Sequence, residues 1–487
     1  MNAEKKPTVM IVGAGLGGLL LGTLLHKAGI SFNIFERSPT VKQLGSSIPI
    51  GGQIVPLFTQ LGLDKDLLNI AKPLEEFRVY NEKRELNYTL AFSDYEHLTG
   101  HKEYMVARPA LYDLLIRQIP PERIHRSKRM LTKLDANDGI IIKMSDGSTY
   151  KGDILVGADG ACSTVRQRLF DRLKNEGKLC KGDREHLPFR TVCLVGQTRA
   201  LDPMEFPQLQ NSLCEFCAIL GDRRGYTLMI STTPQNTVTW TLIRHLDKTS
   251  SADVEIQRLK NTENTGWGPL SVQAMCDETR GIGIPGGNGA MNLGDLMDLT
   301  PKELISKVML EEKVFETWYS GRTVLLGDAV HKINPAGGRA AKLAMLDAVA
   351  LANLIYTLPS SPLSIEDTTT LFSTYWTERY PAALEELQSS QLLSKTSERG
   401  LLGAVTRFVT KTTPNRIWRQ VFGVHSRIQV RPIVAYLPAP DEEGKEGKEG
   451  RGAGPGAIEG AVEGVVQSSY LKAREVFERR KWADWEP

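Results

Sequence analysis

The apolar run TVMIV at residues 8–12 leads straight into Gly13-Ala14-Gly15-Leu16-Gly17-Gly18, and a leucine-rich stretch up to Ala28 follows. No other feature restricts the fold as much. G-x-G-x-x-G alone is a weak pattern, but between a strand and a helix it predicts a turn that holds a dinucleotide. The glycines permit a tight turn, close approach of pyrophosphate oxygens and close helix packing. The helix start adds free N–H donors and the positive end of its dipole. SFNIF at 31–35 reads as a second strand that ends at Glu36, near the ~20-residue spacing at which an acid meets ribose hydroxyls. A carboxylate there repels a 2′-phosphate, which points to FAD or NAD. Gly13, Gly15, Gly18 and Glu36 are therefore candidate cofactor-binding residues.

The chain has 487 residues, enough for two domains or one elaborated α/β unit. Its net charge of +3 is nearly balanced, which argues against a large nucleic-acid footprint. Six scattered cysteines fit reduced thiols in a cytoplasmic protein. Cys214 and Cys217 have redox-motif spacing, but no second pair completes a metal set, so core packing is expected. The histidines show no ligand spacing and no metal site is expected. The apolar N-terminus follows Lys5-Lys6, yet its regular glycines suit a nucleotide-binding turn better than a signal peptide.

Further along, FRVYNEKRELNYTL reads as a hairpin, and Arg108-Pro109 starts the helix ALYDLLIRQI. Residues 129–156 alternate like strands, with turns at Asn137-Asp138-Gly139 and Ser145-Asp146-Gly147. From about 180 to 285, strand-like pieces alternate with polar loops. TPKELISKVMLEE reads as a helix with Thr300 as N-cap and Pro301 in its first turn. Residues 366–430 read as mostly helical. Arg407, Lys411, Arg416 and Arg419 lie among apolar positions there, and such helices can lie on a membrane. Docking on the rest of the protein is the expectation preferred. Residues 441–456 are low-complexity, and SSYLKAREVFERRKW is expected to form a short surface helix.

Two more motifs carry chemistry. In GDILVGADGACSTVR, Asp159-Gly160 ends a strand, and Ser163 and Arg166 begin a helix. In GRTVLLGDAVHKINPAGG, Gly327-Asp328 ends a strand before a proline-glycine turn, and a carboxylate at a strand end can take a ribose or ribityl hydroxyl.

Together these motifs resemble the FAD-dependent monooxygenases of the aromatic-hydroxylase type. These include p-hydroxybenzoate hydroxylase and the fungal secondary-metabolite hydroxylases and epoxidases. The resemblance spans roughly residues 8–437 and includes ARPALYDLL and VRPIVAYLP, the latter like the segment that closes the family's core. It implies an α/β fold with a Rossmann-like, three-layer ββα FAD-binding domain, an inserted β-sheet substrate domain and a C-terminal helical region. The divisions it suggests are 1–179 and 301–365 for the FAD-binding domain and 180–300 for the insert. Residues 366–440 would be the helical region and 441–487 the tail. It implies that Gly13, Gly15, Gly18, Glu36, Arg108, Asp159, Gly160, Asp328, Gly338 and the backbone around Ala341 contact FAD. Asp159-Gly160 is also the region the family associates with pyridine nucleotide.

The implied reaction uses NAD(P)H to reduce the flavin and dioxygen to form a C4a-hydroperoxide. That species hydroxylates or epoxidises a small aromatic or hydrophobic substrate. Arg190 and Tyr226 match best the positions where some fungal members anchor a phenolate, and an ordinary strand-end Arg and core Tyr are the alternative. His331 is expected to be structural or cofactor-adjacent rather than a base. The other readings are a catalytically impaired flavoprotein or FAD-binding module, and a reductase or halogenase on the same fold. A halogenase is disfavoured because W-x-W-x-I-P is missing.

The sequence departs from the family pattern in the proline-glycine turn. Ala340 stands where a second glycine is usual, and its Cβ disfavours φ > 0 and narrows the approach to the flavin. Pro49 stands where many relatives have a small residue. Either the turn still fits FAD or it holds FAD weakly. Arg339 and Lys342 could place positive charge near the pyrimidine end of the flavin.

Overall fold

The computed structural model describes residues 6–41, 46–92, 96, 99–136, 138–185, 191–221, 225–246, 269–285, 291–334, 338–360, 362–395, 433–438 and 467–483. At its centre β1 (Thr8–Val12) lies between β2 (Ser31–Phe35) and β12 (Ile154–Gly157), with β20 (Thr323–Leu325) beyond β12, all parallel. β8 (Ile124–His125) lies beside β2, and β19 (Tyr319–Ser320) returns antiparallel beside β20. The runs TVMIV and ILVG are apolar throughout because this sheet is covered on both faces.

The two coverings are different. α1 (Leu16–Lys27) takes one face: a Cβ added at Gly22 would lie 2.8 Å from Ile34 Cδ1 and 3.2 Å from Phe32 Cε2. Phe35 points the other way and packs on Tyr150, with ring centroids 4.5 Å apart. On that side lies a second sheet of β9 (Met130–Ala136), β10 (Gly139–Met144) and β11 (Thr149–Gly152), joined by the two expected hairpins. Its Ile140, Ile142 and Met144 share the main core. α8 (Ala340–Tyr356) packs against α1 and is almost wholly buried. This is the three-layer ββα arrangement.

A small sheet of β3 (Ser47–Ile50), β7 (Tyr104–Ala107) and β4 (Ala71–Pro73) leads to a larger one. α2 (Val55–Gln60), α3 (Asp64–Asn69) and α4 (Arg108–Ile116) flank the small sheet. The larger sheet runs β17 (Ser306–Leu310), β13 (Thr191–Gln197), β16 (Val238–His245), β15 (Tyr226–Thr232), β14 (Phe216–Gly221), β5 (Glu76–Asn81), β6 (Leu86–Ala91). Residues 180–300 thus supply its middle, and the hairpin expected over 77–90 extends one edge as β5 and β6. α6 (Pro269–Thr279) and α7 (Leu293–Asp298) cover one face, where Leu194, Leu228, Trp240 and Leu242 meet Met275 and Leu296. Cys214, buried just before β14, and Cys217, half-buried on it, pack against apolar clusters, as expected; burial pushes each up to about 12.

One expectation fails. TPKELISKVMLEE forms a 3₁₀ turn at Lys302–Leu304 and then strand β17. Pro301 has ψ 129°, which ends any helix before it begins. Thr300 does not cap a new helix; its hydroxyl donates to Leu296 O at 2.7 Å and accepts from Trp240 Nε1 at 3.0 Å. Residues 306–310 instead complete the ladder beside β13, with Val192 opposite Met309. Tertiary pairing overrides an ambiguous local period.

Toward the C-terminus, α9 (Ile365–Lys395) follows α8, and residues 433–438 close the core as the motif suggested. Asn353 Nδ2 donates to Ile433 O (2.9 Å) and its Oδ1 accepts from Ala435 N (3.0 Å); Tyr436 Oη donates to Leu24 O (3.1 Å). The basic positions at 407–419 lie outside the described residues. α10 (Ser468–Ala483) is docked rather than a free surface helix. Ala473 and Ser469 are fully buried, and Arg480 lies 4.7 Å from the Tyr356 ring centroid. Among the described residues no helix is long and apolar enough to cross a membrane.

A buried ionic network fixes the end of β20. Asp347, in the middle of α8, accepts from Gly327 N (3.1 Å) and Arg379 Nε (2.8 Å) and lies 2.6 Å from His331 Nε2. His331 and Asp347 are fully buried and Arg379 nearly so. Burial alone would raise the Asp347 pKa, but His331 and Arg379 outweigh it and hold the carboxyl at about 2. Its stabilising effect is therefore present above the usual carboxylate range and is lost as pH falls toward 2. Asp347→Asn leaves a buried guanidinium facing a neutral amide, and should lower stability by ~3–5 kcal/mol. Thermal and urea unfolding at pH 7 would show this loss, and it should shrink in acid.

Candidate functional site

The glycine turn after β1 is built by two constraints. Gly13 has φ +110°, and a Cβ there would lie 2.3 Å from Ala158 O; a Cβ on Gly18 would lie 2.2 Å from Gly13 O. These two glycines let backbone pack on backbone. Gly15 differs, because no atom lies within 4 Å of where its Cβ would be. It precedes α1, which has no side-chain cap and no acid in its first turn. An open cradle at an uncapped helix start fits a pyrophosphate. Glu36 stands at its rim, with Oε2 accepting from Ala14 N (3.0 Å) and Oε1 from Ser38 N (2.9 Å). These bonds fix the carboxylate beside the turn, where it retains lone pairs for hydroxyl donors.

The second and third motifs meet the first at the same edge of the central sheet. Asp159 follows β12 and caps α5 (Thr164–Asn175): it accepts from Ser163 Oγ (2.5 Å), Thr164 N (2.7 Å) and Val165 N (3.2 Å). Burial pushes this carboxyl up, against the pull of those donors. Gly160 beside it has φ +78°. From α5, the buried Arg166 reaches two loops, donating to Ala161 O (2.6 Å) and to Ala329 O (2.7 Å). Its guanidinium also lies 4.5 Å from the Phe315 ring centroid. One side chain thus ties the loop after β12 to the loop after β20. In the latter, Gly327 takes φ +61° and Asp328 is exposed. Arg108, at the start of α4, is exposed, and its N–H donates to Ser46 O (2.8 Å). His331 belongs to the buried network described above, in keeping with a structural role.

The start of α8 answers the question raised by Ala340. Gly338 carries the positive φ, +62°, and a Cβ there would lie 2.8 Å from Pro49 Cδ. Ala340 is already the first residue of the helix, and no non-glycine residue of this turn has positive φ among the described residues. Ala341 and Lys342 complete the first turn. Arg339 points away to α9, where Nη1 donates to Glu386 Oε2 at 2.7 Å.

Of the two candidate catalytic residues, Arg190 lies outside the described residues. Tyr226 is placed on the far face of the larger sheet, contrary to the anchoring role suggested for it. Side chains alternate along β15. Tyr226 and Leu228 face α6 and α7 within one apolar cluster, and a Cβ on Gly221 would lie 2.2 Å from the Tyr226 ring. Ser231 faces the opposite way, 2.6 Å from Ser47 Oγ of β3 and 2.7 Å from Thr239 Oγ1. That polar face is the one turned toward the small sheet. There Asn334, just before the proline turn, donates to Glu312 Oε1 (2.9 Å) and Thr191 Oγ1 (3.4 Å). Sequence reasoning missed Asp347 and Glu103. A lone acid in the apolar run of α8 was a visible signal for the first, whereas nothing local marked the second.

The family model described as FAD binding domain matches residues 6–188 and 295–390. The FAD-dependent monooxygenase paxM of Penicillium paxilli is 28% identical over 366 residues, covering 71% of this chain and 69% of paxM. The aurachin C monooxygenase/isomerase of Stigmatella aurantiaca is 27% identical over 350 residues, covering 72% of this chain and 80% of its own. Klebsiella pneumoniae HpxO, solved with FAD and uric acid, superposes with a TM-score of 0.66 at 17% identity, over 88% of this chain and 98% of HpxO. That last likeness is one of fold. The match to the family model takes in more than half of the sequence, and the chain therefore belongs to the FAD binding domain family, as an oxidoreductase of the FAD-dependent monooxygenase type.

Proposed function

We propose that the protein uses FAD, NAD(P)H and dioxygen to add one oxygen atom to a small aromatic or hydrophobic substrate, by hydroxylation or epoxidation. The observation that carries this reading is the convergence of three distant motifs on one sheet edge, bound together through Glu36, Ala14 and Arg166. FAD, when bound, supplies the redox and oxygen chemistry. The chain's part is to hold it. Gly13, Gly15 and Gly18 shape the pyrophosphate turn, and Glu36 accepts from ribose hydroxyls. The exposed Asp328 would accept from the ribityl chain, and the exposed Arg108 would offer donors to the same cofactor. Gly338 and the first turn of α8 around Ala341 meet the ring. Asp159 and Gly160 act through the shape of their loop, because Asp159 spends its oxygens on α5.

Substrate is read into the space between the start of α8 and the polar face of the larger sheet. We read 1–179 with 301–365 as the FAD-binding unit and 180–300 as the centre of the substrate unit. Residues 366–440 form the helical region and 441–487 the tail. The monooxygenase names of the relatives and the uric acid bound by HpxO favour a small-molecule substrate. The position of Ala340 inside the helix favours a working site over an impaired one.

Purified protein should be yellow. It should oxidise NAD(P)H in a substrate-dependent way across a panel of phenols and terpenoids, with one oxygen atom gained by mass. Protein that stays colourless with added FAD would sink the reading. Asp328→Ala should weaken FAD binding at least tenfold, a loss of ~1.4 kcal/mol or more, measured by flavin fluorescence titration. In the same assay Ala340→Gly should change the dissociation constant less than about threefold, since the site does not ask residue 340 for a positive φ. Tyr226→Phe should leave turnover within about twofold, because the ring packs away from the polar face.

A further inference from the structure

Charged groups crowd the start of α8, and they are not equally matched. Arg339 is paired with Glu386 of α9 at 2.7 Å. Lys342, three residues on, is half-buried and makes no hydrogen bond or ion pair with any described residue. Glu386 and Glu103 act on it as opposite charges, and Arg339 and Arg379 as like ones. Glu103 reaches this region from the residue before β7. Its carboxyl occupies the room left by Gly51, since a Cβ there would fall 1.7 Å from Glu103 Oε1. Pro49, next along β3, packs on Gly338 at the head of α8. Lys342 and Glu103 thus flank the same turn, one from the helix and one from the small sheet. Burial pushes the Glu103 carboxyl up, against the pull of Lys342 and a hydrogen bond from the Gly52 backbone, and it pushes the Lys342 ammonium down.

An ammonium left unpaired in a desolvated place costs free energy, and an arriving anion offsets that cost. The oxidised flavin ring is neutral. A hydride from the nicotinamide donor brings it two electrons and one proton, which leaves one negative charge along the N1–C2=O edge.

We propose that the Lys342 ammonium is held for reduced, anionic FAD at the pyrimidine edge of the ring, and that Glu103 is its counter-charge while the ring is oxidised. The proposal rests on FAD occupying the site as read above. Lys342 therefore favours reduced over oxidised FAD and raises the reduction potential. Arg339, with its charge already matched by Glu386, contributes little.

The test is the midpoint potential of bound FAD, measured anaerobically against reference dyes in wild type, Lys342→Met and Lys342→Arg. This readout does not depend on turnover. Lys342→Met should lose at least tenfold of the preference for reduced FAD, a fall of ~30 mV for a two-electron couple. Lys342→Arg keeps the charge and should stay within about threefold of wild type in the same preference. Lys342→Met that holds FAD at the wild-type potential overturns the proposal. If that variant does not retain FAD, Lys342→Gln is measured by the same criterion. Glu103→Gln should raise the potential, and an unchanged value overturns the part given to Glu103. Wild-type protein that takes up no FAD overturns the reading of the site itself, an outcome distinct from coloured protein with an insensitive potential.

Discussion

The structure depends on how closely α1 and α8 approach. At their crossing stand Gly17, Gly327 and Ala344. A Cβ on Gly17 would lie 2.8 Å from Leu326 Cδ1 and 3.2 Å from Ala344 O, and one on Gly327 would lie 3.0 Å from Ala344 Cβ. Small residues at all three positions let the helices and the end of β20 share one layer. That layer sets both uncapped helix starts at the edge of one parallel sheet. In the proposed site the two helix dipoles would favour negative charge on one ligand, the pyrophosphate at α1 and the pyrimidine edge at α8. A bulkier side chain at any of the three positions would separate the two ends of the site.

Around this crossing the loops are held by buried charge. Asp347 fixes Gly327 from behind, and Arg166 ties Ala161 to Ala329 in front. Buried charges are poor sources of net stability, because desolvation cancels much of their attraction. Their value here is geometric. Each is bonded to backbone in a loop with no regular ladder of its own, and each fixes that loop relative to a helix. Asp328 is thereby presented to solvent on a turn whose other members are buried.

Much of this was legible in the chain because the signals are local. β1, α1 and β2 follow from a buried run, a glycine turn and a terminal acid, and the hairpins at 129–156 follow from turn residues at the right spacing. VRPIVAYLP was recognisable as a motif, although Gln60 and Asn353, which hold it, could not be read from it. What failed was nonlocal. Residues 300–312 satisfy a helical period as well as a strand period, and only the open side of β13 decides between them. Tyr226 was placed by motif position, yet its odd separation from Ser231 along β15 puts the two on opposite faces. Asp347 announced itself as an acid in an apolar helix, but its partner Arg379 comes from another helix. Glu103 gave no sign, because the glycine that makes room for it, Gly51, lies just past a different strand, β3.

Ala340 shows why a motif should be divided into its physical demands. In the turn before α8, one glycine position requires left-handed backbone and another only requires little bulk. Gly338 meets the first demand: it has φ +62° and has the Pro49 ring against it, so a side chain there is excluded twice. Position 340 comes after the chain has entered the helix, where alanine is the most favourable residue. Replacing glycine by alanine at such a position removes backbone freedom from the unfolded chain and can stabilise the helix start by ~0.4–1 kcal/mol. The departure from the family pattern therefore adds one methyl group at the helix start and no backbone strain. Pro49 follows the same logic from the other side, since its ring fills the space that Gly338 leaves and stiffens the turn it contacts.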